Sequence, residues 1–407
     1  MTDKEILRDL AKRYADIASP ERFEQTARLH RAVNDLKMVR PVVLVDELPW
    51  HEMNIDGSLD VQCDSPGARN NEIFLRRKLY INKYLPADAL FPPYMTVGPV
   101  TANSGEGLDA RERTVSQNDG NHIVAHEYYD QLSKDEDLGK IKTPVIEYFP
   151  DKTREEYEKA CDIFGDILPV KKSGAVIGWA PWDNISRWRG VTPLLVDLNT
   201  RPEFCHALMK KLLDNANATL DAYEQYGLMT AEVPQLLVHC TPALCSDLAP
   251  CELGTAKSVW GRGMAQIFAS VSPEMHDAFD MQYMVKFLSR FGVSYYGCCE
   301  PLHTKMHVVK KIPNLRKIGV TPWANADIIA DESEGRYVLS FKQNPAYVAV
   351  DNFERQVVSD DLNRFFNACR RTGASCDVVL KDISSCNKKP ENIFKWAQTA
   401  MEAALAY

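Results

Sequence analysis

Short apolar runs alternate with longer amphipathic stretches along most of the chain. The apolar runs predict eight β-strands, at residues 40–48, 87–95, 173–180, 234–240, 292–298, 316–321, 336–341 and 376–384. Stretches with helical periodicity, such as 202–227 and 272–292, lie between them and predict amphipathic helices. Strands that alternate with helices favour an α/β protein built as a (β/α)8 TIM barrel, with a doubly wound open sheet as the alternative. No GxGxxG turn follows any of the eight runs, which disfavours that alternative.

The chain divides into a helical start and a long barrel region. Residues 1–40 are expected to form an N-terminal helical arm, with Ser19 as the N-cap of its second helix. The barrel is expected to occupy residues 41–407, with insertions at about 50–86 and 97–172 relative to a minimal barrel. Within the second insertion, NSGEGLDARERTVSQNDGNH (103–122) is polar and glycine-rich and predicts a surface loop.

Composition narrows the classes of function. The chain has 407 residues, 45% of them apolar, and a net charge of −8 with its Lys and Arg dispersed. Dispersed positive charge argues against a nucleic-acid or anionic-membrane surface. The start, MTDKEILRDLAKRY, lacks an apolar signal core, and no stretch approaches the roughly 18 apolar residues of a membrane span. We therefore expect a soluble, cytoplasmic protein whose 11 cysteines are mostly reduced.

A cysteine lies just after the fifth predicted strand, and another lies just after the eighth. In a barrel, chemistry lies at the carboxyl ends of the strands, where Cys299 and Cys386 are expected. They are 386 − 299 = 87 residues apart, which corresponds to three βα units of roughly 30 residues each. Two thiolates at one barrel mouth suit zinc, so the pair predicts a zinc site. Because side chains alternate along a strand, Cys298 is expected to pack rather than bind metal.

Other side chains at predicted strand ends are candidates for catalysis and binding. Glu300 and His239 are candidates for acid–base catalysis and for the remaining zinc ligand. Alternatively, Glu300 complements a helix dipole and His239 is a hydrogen-bonded core histidine. The candidate substrate-binding residues are polar or aromatic side chains near the mouth: Glu47, Trp50, His51, Trp179, Trp182 and Trp323. Tryptophans at these positions also fit a core or rim role.

Four segments carry a resemblance to a known family. LGKIKTPVIEYFPDKTREEYEKACDIFGDILPV leads into the third predicted strand, and WRGVTPLLVDLNTRPEFCHALMKKLLDNANATLDAYEQYG follows it. FASVSPEMHDAFDMQY precedes the fifth strand, and SSCNKKPENIFKWAQTAMEAA follows the eighth. In this order they resemble the uroporphyrinogen decarboxylase superfamily, and within it the corrinoid-linked methyltransferases. The resemblance covers the region from about 138 to 407 and implies the barrel fold.

The zinc-bearing members of that branch carry His-x-Cys after strand 5 and Cys after strand 8. Cys299 and Cys386 match the two cysteines, whereas Gly297 stands at the histidine position. The third zinc ligand is therefore not fixed by the resemblance, and Glu300 and His239 are the two candidates. The arginine-rich segment of the decarboxylases after strand 1 is replaced by DELPWHEM.

The resemblance implies a methyltransferase that uses a corrinoid carried by a partner protein. It would move a methyl group between the corrinoid cobalt and a small methylated substrate, such as a methoxylated aromatic, or a thiol or folate acceptor. Zinc would act as the Lewis acid. The alternatives are a decarboxylase of another carboxylic acid, which would need a cationic pocket, and a non-catalytic ligand-binding barrel.

Overall fold

Seven parallel strands form the main sheet of a computed structural model that describes residues 1–115 and 125–407. They are β1 (Val42–Val45), β2 (Gly178–Trp179), β3 (Trp260–Gly263), β4 (Val293–Tyr296), β5 (Leu315–Val320), β6 (Val338–Lys342) and β7 (Cys376–Leu380). Their order in the sheet is β1-β7-β6-β5-β4-β3-β2. From β2 to β7, neighbours in sequence are thus neighbours in the sheet, and the first strand pairs with the last. The α/β class is confirmed.

Two predicted strands do not belong to the main sheet, and one strand of that sheet is not predicted. Residues 87–95 do not join the sheet. Asp88 instead donates its amide to Val43 O at 2.8 Å and accepts from Val43 N at 2.9 Å through its carboxylate. Pro92 and Pro93 follow in the same segment and have no N–H to donate to a ladder.

The second such run lies at 234–240, where Leu237–Val238 is a strand but pairs with Thr241–Pro242 in a separate hairpin. The sheet strand that follows in the chain is β3, with the sequence WGRG. Two glycines and an arginine in four residues leave little apolar signal, so the pattern does not reveal this strand.

Most helices lie in the chain segments that connect the strands of the main sheet. They are α1 (Asp3–Ile17), α2 (Pro20–Asn34), α3 (Pro66–Tyr84), α4 (Pro150–Phe164), α5 (Pro181–Arg189), α6 (Val191–Thr200), α7 (Pro202–Gln225), α8 (Pro273–His276), α9 (Gln282–Leu288), α10 (Met306–Val309), α11 (Ala326–Ser333), α12 (Arg355–Thr372) and α13 (Glu391–Leu405). A π-helical turn, Asp277–Met281, joins α8 to α9. The helices predicted at 202–227 and 272–292 are confirmed. Of the helices in the described ranges, none has the length and apolar character needed to cross a membrane.

The N-terminal arm shares a hydrophobic core with the predicted insertions. Ser19 caps α2 by accepting the amide hydrogen of Arg22 at 3.2 Å, as predicted. Leu7 and Leu10 of α1 belong to one buried cluster with Leu75 of α3 and Phe164 of α4. The arm therefore packs as part of a second layer, because its apolar face is covered by the insertions.

The predicted loop at 103–122 contains strand residues at both of its described ends. Thr101–Asn103 pairs antiparallel with Ile146–Tyr148, and Glu112–Val115 pairs antiparallel with Ala125–Tyr128. The prediction of a plain loop is therefore wrong for these residues. Residues 104–111 form a loop, as predicted, and residues 116–122 lie outside the described residues.

A buried ion pair holds the hairpin of residues 237–242 against the main sheet. Lys317 on β5 donates to Pro242 O at 2.7 Å and lies 2.9 Å from Asp377 on β7. Both charged side chains are fully buried, and Ser340 on β6 donates to the same carboxylate at 2.6 Å. The hairpin is thus fixed so that its turn, residues 239–240, reaches the carboxyl ends of β1 and β4.

Candidate active site

The turn after β4 contains the cysteine pair and is shaped by Glu300. Glu300 is fully buried, and its carboxylate accepts the amide hydrogens of Cys298 at 2.9 Å and Ala265 at 3.2 Å. Gly297 has a φ of +107°, and a Cβ there would meet Leu302 Cδ1 at 2.8 Å. A histidine at this position would therefore be strained, which explains physically why the backbone requires glycine.

The two thiols differ in exposure and acidity. Cys298 is buried and Cys299 is exposed, with their Sγ atoms 3.6 Å apart. The hydrogen bond from Cys298 lowers the pKa of Cys299 to about 7, while the same pairing and burial raise the pKa of Cys298 well above its usual value. Near neutral pH a large share of Cys299 is therefore thiolate, the nucleophilic form of cysteine.

His239 contacts the buried member of this pair. Its Nε2 lies 3.2 Å from Cys298 Sγ. Burial and the positive charges of Lys342 and Arg262 hold the pKa of His239 well below its usual value. The imidazole is therefore neutral at physiological pH and can take part in a hydrogen-bond chain from His239 through Cys298 to Cys299.

Two buried lysines lie beside the cysteines and were not among the predicted site residues. Lys342, at the end of β6, donates to Cys298 O at 3.2 Å, and burial lowers its pKa. Lys381, directly after β7, lies 2.7 Å from Asp382 and 3.2 Å from Glu47. Burial is the largest single influence and favours the neutral form, but the hydrogen bond to Asp382 together with the negative charges around Lys381 outweighs it and raises the pKa of Lys381.

Backbone strain concentrates around the same strand ends. Glu47, His239, Cys240 and Asp382 all have positive φ, between 46° and 66°. They also touch: Cys240 Sγ lies 3.5 Å from Glu47 Oε1, and Asp382 donates its amide to Glu47 Oε2 at 3.1 Å. Such conformations cost about 1–3 kcal/mol each in residues other than glycine and often occur at functional sites.

Cys386 has a carboxylate partner. Its thiol donates to Glu52 Oε2 at 3.0 Å, and its amide donates to the same oxygen at 2.8 Å. Burial and this carboxylate raise the pKa of Cys386 to about 12. Burial alone would raise the pKa of Glu52, but hydrogen bonds from Cys386 and Ser385 lower it to about 2. Cys386 is therefore a protonated thiol in this arrangement.

The predicted zinc ligands do not form a set around one point. Within residues 1–115 and 125–407, no three His, Cys, Asp or Glu side chains are arranged to hold a metal ion. Both carboxylate oxygens of Glu300 accept backbone hydrogens, and Cys386 faces Glu52. Zinc binding by Cys299 and Cys386 stays a prediction, and it would require Cys386 to lose the proton that it donates to Glu52.

The predicted substrate-binding residues divide into core and surface. Trp182 is fully buried, and Trp179 is buried against Phe287, 5.2 Å between ring centroids. Trp50 is half-buried, with the Arg77 guanidinium 4.6 Å from its ring centroid. Trp323, Glu47 and His51 are exposed, and Trp323 follows β5 with an exposed fraction of 68%. Of the six predicted residues, these three are exposed.

Asp183 is a candidate acid in the first turn of α5, close after β2. Burial and the charge of Glu300 raise the pKa of Asp183 to about 7. A buried network lies beyond it, in which Tyr296 donates to Asp280 at 2.8 Å and lies 2.6 Å from His276 Nε2. A carboxyl group with a pKa near 7 can both give and take a proton at neutral pH.

The rule that chemistry lies at strand ends points to Asp183 and Lys342, because both come at or just after a strand, but it does not single them out among the other strand-end residues. No local sequence pattern indicates that the pKa of either side chain is shifted. No protein-family model matches the chain, and no curated protein sequence matches it significantly.

Proposed function

We propose that the main sheet closes into a (β/α)8 barrel in which the segment around Asp88 occupies the eighth position. Two findings support closure. The first strand pairs with the last, as around a ring. Asp88 also hydrogen-bonds to Val43 at the free side of β1, where a second strand would lie.

We propose that the protein is an enzyme that transfers a methyl group between a small methylated substrate and the cobalt of a corrinoid protein. The observation that carries the proposal is the exposed, acidic thiol of Cys299 at the carboxyl end of β4, beside two buried lysines. The resemblance of the four sequence segments to corrinoid-linked methyltransferases supplies the reaction class. Because Co(I) is the nucleophile in demethylation of a donor, the Cys299 thiolate would act as a soft ligand for zinc at the position that the resemblance implies.

The chain's own residues suit the charge that develops in such a transfer. With a methoxylated aromatic as donor, the O–CH3 bond breaks, the cobalt of Co(I) provides the electron pair of the new Co–C bond, and a phenoxide leaves. The positive charge near Lys342 and Lys381 stabilises that anion, and Asp183, with a pKa of about 7, can supply its proton. The partner protein would approach the end of the sheet where Trp323 is exposed.

Methyl transfer to free cob(I)alamin tests the proposal. The purified protein is mixed with a panel of O-, N- and S-methyl compounds that includes a methoxylated benzoate, and formation of methylcobalamin is followed by absorbance. Cys299→Ser is expected to lower the rate at least about tenfold because a hydroxyl is a poor substitute for a thiolate. Cys161→Ser, on α4, is the matched control. No transfer from any donor would contradict the proposal.

Zinc is tested separately, because the described side chains do not form its ligand set. If Cys299 and Cys386 bind zinc when the protein is loaded, the metal would supply Lewis-acid chemistry at the substrate heteroatom. Elemental analysis after dialysis is expected to find zinc in the wild type and less in Cys386→Ser. Equal stoichiometric zinc in that variant would show that other residues bind the metal.

A decarboxylase of another carboxylic acid is the second candidate, favoured by the cations at the site. Lys342 is buried and forms no salt bridge in the described part of the chain, and the half-buried Arg262 has an unpartnered Nε. A substrate carboxylate could pair with either side chain. Release of CO2 from an aromatic acid, abolished by Lys342→Met and independent of cob(I)alamin, would favour this function over methyl transfer.

A further inference from the structure

A cavity of about 500 Å³ lies at the amino end of the main sheet. Its walls come from α3, from residues 92–96, and from the segments 173–176 and 258–259, which precede β2 and β3. Because the strands are parallel, residues that precede them lie at the end opposite to Cys299. The cavity is therefore separate from the candidate active site, and its volume is in the range that holds a small ligand.

Exposed apolar side chains surround this cavity. Phe74 is 40% exposed, Val176 63% and Leu237 40%, and all three are lining residues. The buried Met95 and Met229 continue the apolar wall inward. Large apolar side chains that remain exposed around a concave surface are typical of a binding site, because a ligand would remove them from water.

Two polar groups in the wall are incompletely paired. Lys78 donates to Leu90 O at a long 3.4 Å and its Nζ lies 5.8 Å from the Phe74 ring centroid, but no carboxylate of the described residues forms a salt bridge with it. The hydroxyl of Tyr94, a residue only 8% exposed, has no hydrogen-bond partner in the described structure. Burial raises the pKa of Tyr94 to about 12, so the hydroxyl remains a donor at neutral pH. Buried donors normally have acceptors.

We propose that this cavity binds an organic acid, with its carboxylate paired to Lys78 and hydrogen-bonded by Tyr94, and its apolar body between Phe74, Val176 and Leu237. A carboxylate provides both missing partners at once: a counter-charge for the ammonium group and an acceptor for the phenol. A cationic ligand would be repelled by Lys78 and by Lys171, whose Nζ lies 5.4 Å from the Tyr94 ring centroid. A neutral ligand would leave the ammonium group of Lys78 without a counter-charge.

Isothermal titration calorimetry with 2-naphthoate and its neutral isostere 2-naphthamide tests the proposal at pH 7. The wild type is expected to bind naphthoate about tenfold or more tightly than naphthamide, since hydrogen bonds to charged groups are the stronger ones. Lys78→Met should abolish this preference, and Tyr94→Phe should weaken naphthoate binding several-fold. Lys83→Met, on the same helix but paired with Asp56 at 2.7 Å, is the matched control.

A second variant keeps the test decisive if Lys78→Met fails to fold. Val176 is 63% exposed, so Val176→Asp should fold, and its negative charge should weaken naphthoate binding but not naphthamide binding. No naphthoate binding by the wild type at millimolar concentration would overturn the proposal. So would binding that is lost in Lys342→Met but kept in Lys78→Met, because the acid would then occupy the active site. Neither outcome depends on methyl transfer.

Discussion

The Nε2 of His239 lies 3.2 Å from the Sγ of Cys298, although 59 residues separate the two in the chain. The contact exists because the hairpin of residues 237–242 carries its strained turn to the end of β4. Cys298 in turn lies 3.6 Å from Cys299 Sγ. The acidity of the exposed thiol therefore depends on a buried partner whose own environment is set by a distant segment.

Cys299 is expected to react with iodoacetamide with a half-maximal rate near pH 7. Its pKa is lowered to about 7, so the thiolate predominates above that pH and the thiol below it. Peptide mapping by mass spectrometry over pH 5–9 measures the modification. Cys386 is buried with a pKa of about 12 and should stay unmodified over the same period.

Lys342→Met should raise the pH midpoint of Cys299 modification by about one unit, because a nearby cation is removed. An unchanged midpoint in that variant would show that the lysine does not act on the thiol.

Glu52 is expected to stabilise the fold in a pH-dependent manner. Its pKa is about 2 in the folded chain, below its ordinary value of 4.5. Its contribution, about 3 kcal/mol, is therefore complete above about pH 4.5 and is lost as the pH falls towards 2. Glu52→Gln should lower the free energy of unfolding at pH 7 by about 1–3 kcal/mol and reduce its pH dependence below 4.5. Urea unfolding measures both, with the exposed Glu155→Gln as control; an equal loss in the control would contradict the assignment.

Asp183 should have the opposite pH dependence. Burial raises its pKa to about 7 from an ordinary value of 3.8, so ionisation in the folded state is unfavourable. Stability that is present below about pH 3.8 is lost as the pH rises through 7. Asp183→Asn is expected to raise the melting temperature at pH 8 and to change it little at pH 4. If Asp183 supplies the proton, activity of the wild type should also fall above pH 7, and the variant should lose that activity. The raised pKa would be contradicted if Asp183→Asn lowered the melting temperature, relative to wild type, more at pH 8 than at pH 4.

The pair of Lys317 and Asp377 should be costly to break from one side. Both side chains are fully buried and 2.9 Å apart. Lys317→Met leaves the carboxylate without a counter-charge and is expected to destabilise the fold by about 3–5 kcal/mol. The double variant Lys317→Met with Asp377→Leu should recover most of this loss, because no unpaired charge remains. Denaturant titration of the single and double variants measures the difference. Equal stability of the two variants would mean that the unpaired carboxylate of Asp377 is not what destabilises the single variant.

The sequence by itself determined most strands of the main sheet. Predicted runs overlap six of its seven strands, because strands buried on both faces give short apolar segments. The long helix α7 follows its amphipathic pattern, and Ser19 its N-cap chemistry. The strand-end rule also named Cys299, His239 and Glu300 as residues to consider. Each of these inferences rests on local periodicity or local hydrogen bonding, which the order of residues contains directly.

Only the tertiary structure decided which of these residues meet. Cys386 is hydrogen-bonded to Glu52, which is 334 residues away in the chain. Glu300 is buried, and its carboxylate accepts hydrogen bonds from backbone amides. The pKa of Lys342 and that of Asp183 depend on how completely other segments exclude water from them. Contacts and burial of this kind come from chain segments far apart in sequence. Local residue patterns contain no information about them, so the site's chemistry emerges only when the chain is folded.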